Sequence, residues 1–346
     1  MKAQRKTNTH RKTKADTSTA VSHDICLVEA VNMALAWEMA HDENVVVLGQ
    51  DVATNGGVFR ATVGLKERFG YKRVMDTPLA ETLIAGTAVG MATQGLRPVA
   101  EFQFMGFIYA GMDQMISHAA RMRNRSRGRL HCPAVFRAPF GGGIHAPEHH
   151  SESTEALFAH IPGLRVVIPS SPRRAYGLLL AAIRDPDPVV FLEPKRIYRA
   201  VNQPVIDDGQ ALPLDTCFTL REGDDVSLIT WGPTVMETLQ AADVLAEKGI
   251  SAEVIDVATL SPLDRETLLC SVAKTGHAVI IHEACRNGGY GAEVAASLAQ
   301  AAFQDLRAPI IRVTGYDTIM PYARNEQAYL PQVEDIVAAV EESLAV

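Results

Sequence analysis

The 346-residue sequence has no run of the roughly 18 apolar residues that a membrane-crossing helix needs. Its least polar stretch, around Leu83–Leu96, is short and rich in Gly and Thr, so no membrane partner is expected. Cysteine is sparse. Cys26, Cys132, Cys217, Cys270 and Cys285 are odd in number, scattered and without a C-x-x-C pair. That excludes a disulfide framework and a zinc ribbon, and fits free thiols in a reducing compartment. No G-x-G-x-x-G follows a strand pattern and no G-x-x-x-x-G-K-[ST] occurs, so dinucleotide and P-loop fingerprints are missing. Apolar residues are nearly absent from positions 1–20, which hold only Met1, Ala3, Ala15 and Ala20. Such a segment forms neither a signal-peptide core nor an amphipathic transit helix. The net charge of −7 argues against non-specific nucleic-acid binding.

What remains is a soluble globular composition, 47% hydrophobic and 21% charged. The length suggests two domains. Residues 1–16 carry Lys2, Arg5, Lys6, Arg11, Lys12 and Lys14 against Asp16, a net +5, leaving −12 on the rest. Residues 1–22 therefore read as a disordered basic tail.

The chain is organised around Asp76-Thr77-Pro78-Leu79-Ala80-Glu81. Pro78 ends a loop, and a helix runs on through Leu83 to Ala92. Glu81 stands in its first turn, where the helix dipole favours an anion. Gly86 and Gly90 share a face open to close backbone approach. Apolar runs at Val45–Gly49, Pro98–Phe102, Ala134–Ala138, Leu164–Ile168 and Val189–Leu192 alternate with helical patterns, including Pro172–Arg184. One long helix is expected from Phe107 towards Arg125, closed by Gly128. Pro and Asp-Gly clusters over 201–223 read as a linker. A second alternating set comes after it, ending in a helix over Val333–Leu344. The predicted fold class is α/β, with two doubly wound parallel-sheet domains over 23–200 and 224–346.

Ligands of open parallel sheets sit beyond the carboxyl ends of the strands. That rim gathers Gln50-Asp51, the loop before Glu81, Gln103 with Phe107, and the loop 139–153. The last holds Gly141, Gly142 and Gly143, which permit close approach, and His145, His149 and His150, which titrate near neutral pH. His145-Ala146-Pro147-Glu148-His149 matches H-x-x-E-H. Pro147 breaks the helix that a zinc motif of this kind requires, so zinc is not the preferred reading. Arg121, Arg123, Arg125, Arg127 and Arg129 spread around a helix and read as a solvated or interfacial helix end.

Several stretches together resemble a known family. They are Gly57-Val58-Phe59-Arg60-Ala61-Thr62, Asp76–Glu81, Gly95–Glu101, Pro162–Pro169, Ala182–Val189 and Glu193-Pro194-Lys195. From about residue 24 to 346 the chain resembles the β subunit of the thiamine-diphosphate-dependent decarboxylase component of 2-oxoacid dehydrogenase complexes. The resemblance implies a pyrimidine-binding domain, a transketolase-type C-terminal domain and a heterotetramer of two α and two β chains. It implies oxidative decarboxylation of a 2-oxoacid with acyl transfer to lipoamide. Glu81 would bond the aminopyrimidine ring nitrogen of thiamine diphosphate and set its tautomer by sharing a proton. Phe107 would pack on that ring with Gln103 beside it. His150 would serve as the acid–base group near substrate and lipoyl thiol. Ala182, Asp185 and Asp187 lie where some members bind potassium.

The family's Gly-Asp-Gly diphosphate motif is missing. The resemblance assigns it, with magnesium, to the α subunit, so this chain should hold half of a cofactor site. Phe140–Glu148 and Arg121–Arg123 are more similar to bacterial pyruvate dehydrogenases. His150–Ser153 and Glu193–Lys195 are also similar to branched-chain enzymes. Pyruvate is slightly favoured, and a bacterial cytoplasm is preferred to the mitochondrial matrix. A different class of reading is a non-catalytic assembly subunit. Within the C-terminal domain, His282–Ala284 and Gly288–Glu293 resemble stretches at subunit contacts. Glu326, Glu334, Asp335, Glu341 and Glu342 suggest an acidic surface for the basic subunit-binding domain of a dihydrolipoyl acyltransferase core. On that view the helix beyond Gln332 is removable without loss of decarboxylation.

Overall fold

The structure is a computed structural model and describes residues 22–346. The basic tail assigned to 1–22 lies outside the described residues except for Ser22, which begins a strand. The strands are β1 (Ser22–Ile25), β2 (Val45–Gly49), β3 (Val74–Asp76), β4 (Arg97–Glu101), β5 (Val135–Phe140), β6 (Arg165–Val167), β7 (Val189–Pro194), β8 (Gln203–Ile206), β9 (Phe218–Arg221), β10 (Val226–Thr230), β11 (Ala252–Asp256), β12 (Thr259–Ser261), β13 (Ala278–Cys285) and β14 (Ile311–Gly315). Helices alternate with most of them, as the apolar patterning requires.

The first sheet has the order β12-β6-β7-β5-β4-β2-β3. All its pairs are parallel except β12, which lies antiparallel on β6. The order reverses at β2, which pairs with both β3 and β4 and so opens a crevice beyond its carboxyl end. The second sheet has the order β14-β13-β10-β11-β9, with β9 as an antiparallel edge. The segment read as a linker contributes β9 and also β8, which pairs antiparallel with β1. Pro204 is tolerated there because a two-stranded ribbon leaves one edge of each strand free.

Both faces of the first sheet are covered. Helices Leu27–His41 and Pro172–Arg184 pack on one face over a core that includes Leu35, Val47, Leu179 and Phe191. Ser171 caps the second of these by accepting the Arg174 amide at 3.4 Å, and Pro172 supplies a preset first turn. The other face shares one continuous core with the second sheet, joining Phe136 and Phe158 to Trp231, Ile255 and Ile280. The outer face of the second sheet is covered by helices Val235–Glu247 and Val333–Leu344. Ile336, Val337, Ala339 and Val340 of the last helix are buried against Leu228, Val254 and Ile281. This corrects the expectation that the helix is removable: its deletion would open the core.

The single helix expected from Phe107 to Arg125 is also corrected. The chain runs as a 3-10 stretch Met105–Gly111, a π stretch Gln114–Ala119 and a short α-helix Met122–Arg125. Two glycines explain the first part. A Cβ on Gly106 would fall 2.2 Å from the His149 carbonyl, and one on Gly111 would fall 3.1 Å from the Glu81 carbonyl. Tertiary approach of backbone to backbone therefore sets the winding.

Candidate active site

The crevice beside β2 is lined by the loops that leave β2, β3, β4 and β5. Asp51 follows β2 in the left-handed region, with φ 60°. Its carboxylate lies 3.5 Å from the Gln103 amide nitrogen. Asp76, at the end of β3, accepts the Ala53 amide at 2.7 Å and is also bonded by Thr54. Burial pushes the Asp76 carboxyl up, but these bonds outweigh it and hold it below the usual range. The Asp76–Ala80 loop is thus tied to the loop after β2. Thr77 donates its amide to the Gly49 carbonyl at 3.0 Å.

Glu81 is the first residue of helix Glu81–Thr93 and is half-buried. Among the described residues its carboxylate enters no ion pair. Thr82 donates to the Ala110 carbonyl at 2.6 Å, fixing the helix mouth to the Met105–Gly111 segment. The glycine face holds less than its spacing suggests. Gly86 faces the Gln114 side chain, Gly90 has nothing within 4 Å, and the close approach falls instead between Gly111 and Ala85.

Phe104, Phe107 and His150 form one cluster. The His150 ring lies edge-on to Phe104 at 4.5 Å and to Phe107 at 5.1 Å. Its Nδ1 is buried with no hydrogen-bond partner. The Glu81 carbonyl faces Gly111, at the end of the segment that carries Phe107.

A charged floor lies beneath. Glu101 of β4, Arg137 of β5 and Glu193 of β7 sit on neighbouring strands and are almost fully buried. Arg137 grips Glu193 with two bonds of 2.6 and 2.7 Å and also bonds Glu101. Tyr198 adds its hydroxyl to Glu193 at 2.5 Å. Burial works against the guanidinium charge, but the two carboxylates outweigh it.

Comparison with known proteins decides the family. Residues 24–201 match the model described as transketolase, pyrimidine binding domain, and residues 216–336 match transketolase, C-terminal domain. A curated relative named pyruvate dehydrogenase E1 component subunit beta from Acholeplasma laidlawii is 50% identical, over 91% of this chain and 97% of that protein. The protein of the same name from Bacillus subtilis is 49% identical, over 90% and 96%. The chain belongs to the thiamine-diphosphate-dependent 2-oxoacid dehydrogenase β-subunit family. Among solved structures, one titled split gene transketolase, inactive beta4 tetramer aligns with a TM-score of 0.77 at 25% identity, covering 93% of this chain and 99% of that one.

The metal expectations for this β subunit fare unevenly on geometry. No group of three or more His, Cys, Asp or Glu side chains able to hold a metal gathers among the described residues. The zinc pattern is dispersed: His145 Nδ1 lies 2.7 Å from Glu326, and His149 turns to Glu152 at 3.8 Å. The potassium assignment meets competition. Asp187 is held by Arg123 at 2.8 and 2.9 Å, and Asp185 by Arg165 at 3.0 Å. Arg97 takes the carbonyl of Ile183 at 2.8 Å, just past Ala182. Arg123 and Arg165 thus pair with the two carboxylates of this turn, and Arg97 competes for a carbonyl beside them.

Four buried titratable residues of the β subunit were invisible as a group in the sequence: Glu155, Lys195, Glu283 and Glu326. Glu283 carried a signal near the carboxyl end of an apolar strand, and Lys195 one as part of Glu193-Pro194-Lys195. Glu326, which the sequence placed on an acidic surface, is 1% exposed, and this corrects that placement. Burial, with Glu283 nearby, pushes Glu155 up to about 7. Burial pulls the Lys195 ammonium down to about 8, against the attraction of Glu283 and Glu326.

The Gly288–Gly291 stretch wraps a buried histidine. A Cβ on Gly291 would fall 2.5 Å from His282 Nε2, and the ring stacks on Trp231 at 5.0 Å. Burial and the charge of Arg312 hold His282 down, from 6.5 to about 3. Between these values the unfolded chain binds the extra proton, so this residue's contribution is lost as pH falls, by up to about 1.4 kcal/mol per unit. Glu155, raised in the folded state, acts with the opposite sign below about pH 7. Comparing wild type with His282→Leu isolates the histidine. The variant's denaturation midpoint is expected to fall less between pH 7 and pH 5, and equal slopes would refute the assignment.

Proposed function

We propose that this β subunit supplies the pyrimidine half of a thiamine diphosphate site to an α chain, that the α chain carries the diphosphate and magnesium anchors, and that the substrate is pyruvate. The match of residues 24–201 to a transketolase pyrimidine binding domain, with His150 set against Phe104 and Phe107 at the rim, carries the reading. Exposed apolar residues next to Glu81 support an α chain covering the rim: Leu79 is 72% and Leu83 46% exposed. The names of the relatives support pyruvate.

Bound thiamine diphosphate supplies the electron sink for loss of carbon dioxide from a 2-oxoacid. The chain's own residues do the rest. Glu81, at the positive end of its helix, holds a proton shared with the aminopyrimidine. Phe107 and Phe104 exclude water from that ring, with Gln103 beside it. His150 moves a proton at the reacting end, where the acyl group passes to lipoamide. The exposed Glu334, Asp335, Glu341 and Glu342 face a basic subunit-binding domain of the acyltransferase core, making docking salt-sensitive.

Reconstitution with the α chain tests the substrate. The kcat/KM for pyruvate is expected to exceed that for 3-methyl-2-oxobutanoate, and the reverse order would assign a branched-chain enzyme. The lone β subunit is expected to bind thiamine diphosphate weakly, since it lacks the Gly-Asp-Gly anchor. Calorimetry showing tight, magnesium-dependent binding to it would overturn the half-site.

A further inference from the structure

The loop from Gly141 to Ser153 carries His150, and both of its ends are held from the C-terminal domain. Glu283 of β13 is 3% exposed and accepts the Gly142 amide. It also accepts the Ser153 hydroxyl at 2.7 Å, so one carboxylate ties the start of the loop to its end. Glu326, in helix Ala323–Tyr329, is 1% exposed. It accepts the Gly143 amide at 2.7 Å and the His145 amide at 2.9 Å, and lies 2.7 Å from His145 Nδ1.

Gly141 and Gly142 record the same contact, and Gly143 is crowded from within the first domain. A Cβ on Gly141 would stand 2.9 Å from Glu283 Oε1, one on Gly142 would stand 2.5 Å from the Met320 methyl, and one on Gly143 would stand 2.0 Å from Arg196 Cδ. Gly141 and Gly143 both have φ 84°, a region that favours glycine. Gly141 and Gly142 are thus crowded by the second domain, and Gly143 by Arg196 of the first. Lys195 is buried with its ammonium unpartnered and is attracted by Glu283 and Glu326, which offsets part of their charge.

We propose that Glu283 and Glu326 are positioning residues for His150: they seat the Gly141–Ser153 loop through its backbone amides, and so make the C-terminal domain part of the catalytic apparatus as well as of assembly. The functional consequence rests on His150 acting as the acid–base group; the seating itself does not. Physically, three amides and one hydroxyl of a glycine-rich loop have these two carboxylates as acceptors. Without these acceptors the amides would have to open to water, and the loop would gain conformational freedom.

The test uses the reconstituted α–β complex with Glu326→Ala and the milder Glu326→Gln. Hydrogen exchange is read at residues 142–145, alongside acyl transfer to a lipoyl domain and the melting temperature. Glu326→Ala is expected to speed exchange of the Gly143 and His145 amides by about 10- to 100-fold, while the helices Leu27–His41 and Pro172–Arg184 keep their protection. Acyl transfer is expected to fall by a similar factor through kcat, with partial rescue in Glu326→Gln, whose amide keeps one acceptor. Unchanged exchange at these amides overturns the seating. Faster exchange with unchanged acyl transfer overturns the positioning role. A His150→Ala control separates the two ideas: full acyl transfer in that variant refutes the role of His150, while the exchange result still decides the seating.

Discussion

Glu81→Gln in the reconstituted α–β complex is expected to lower turnover by at least about 100-fold while leaving assembly and melting temperature within error. The size follows from the proposed role. A positioned group that shares a proton contributes about 10²- to 10⁴-fold, and the amide cannot share one. The selectivity follows from the surroundings. Glu81 is half-buried and pairs with no cation among the described residues, so its contribution to stability is limited to the helix dipole, on the order of 0.3–1 kcal/mol. The backbone that seats the helix mouth is also untouched by the change, because Thr82 and Gly111 make those contacts. Turnover in the variant near that of the wild type would mean that this subunit serves assembly and leaves the chemistry to its partner.

Removing Arg137 is expected to have the largest effect on stability. Its guanidinium is 1% exposed and lies between two carboxylates that are 3% and 0% exposed. Arg137→Met would keep much of the volume and leave Glu101 and Glu193 buried without their cation. Breaking a buried pair in this way costs about 3–5 kcal/mol, a large share of the roughly 5–15 kcal/mol that holds a protein folded. The damage would reach the site, since Glu101 ends β4 two residues before Gln103 and lies against Gly57, where an added Cβ would stand 2.6 Å from its Oε1. Chemical denaturation checks the value. The triple variant Glu101→Gln, Arg137→Met, Glu193→Gln is expected to recover much of the loss, because no uncompensated charge remains. A loss below about 1 kcal/mol in the single variant would show that the carboxylates reach water or bind protons instead.

Some of this protein was legible residue by residue. Val45–Gly49, Pro172–Arg184 and Val333–Leu344 have the predicted bounds, because an apolar run or a one-sided stripe flanked by Pro, Gly or a cap settles locally. The α/β class followed from their alternation. The family followed from motifs that remain contiguous in sequence, with Glu81, Gln103, Phe107 and His150 carried on them. The structure then brought Phe107 and His150 together and set Gln103 beside Asp51.

Other features depend on partners far away in the chain. The 105–125 segment has a helical composition, yet it winds as 3-10 and π turns, the first of them where Gly106 and Gly111 meet the backbone at His149 and Glu81. Strand β12 comes after the stretch read as a linker but joins the first sheet beside β6. Glu326 reads as a surface acid and Glu283 as a strand-end acid, and both become buried acceptors only when they meet amides 141 to 183 residues away. Sequence by itself determined the class, the family and the residues at the rim, because periodicity and contiguous motifs are local properties. Tertiary structure alone decided what closes the rim from behind and which acids are buried. Burial and hydrogen-bond satisfaction belong to pairs of residues, and these pairs are widely separated along the chain.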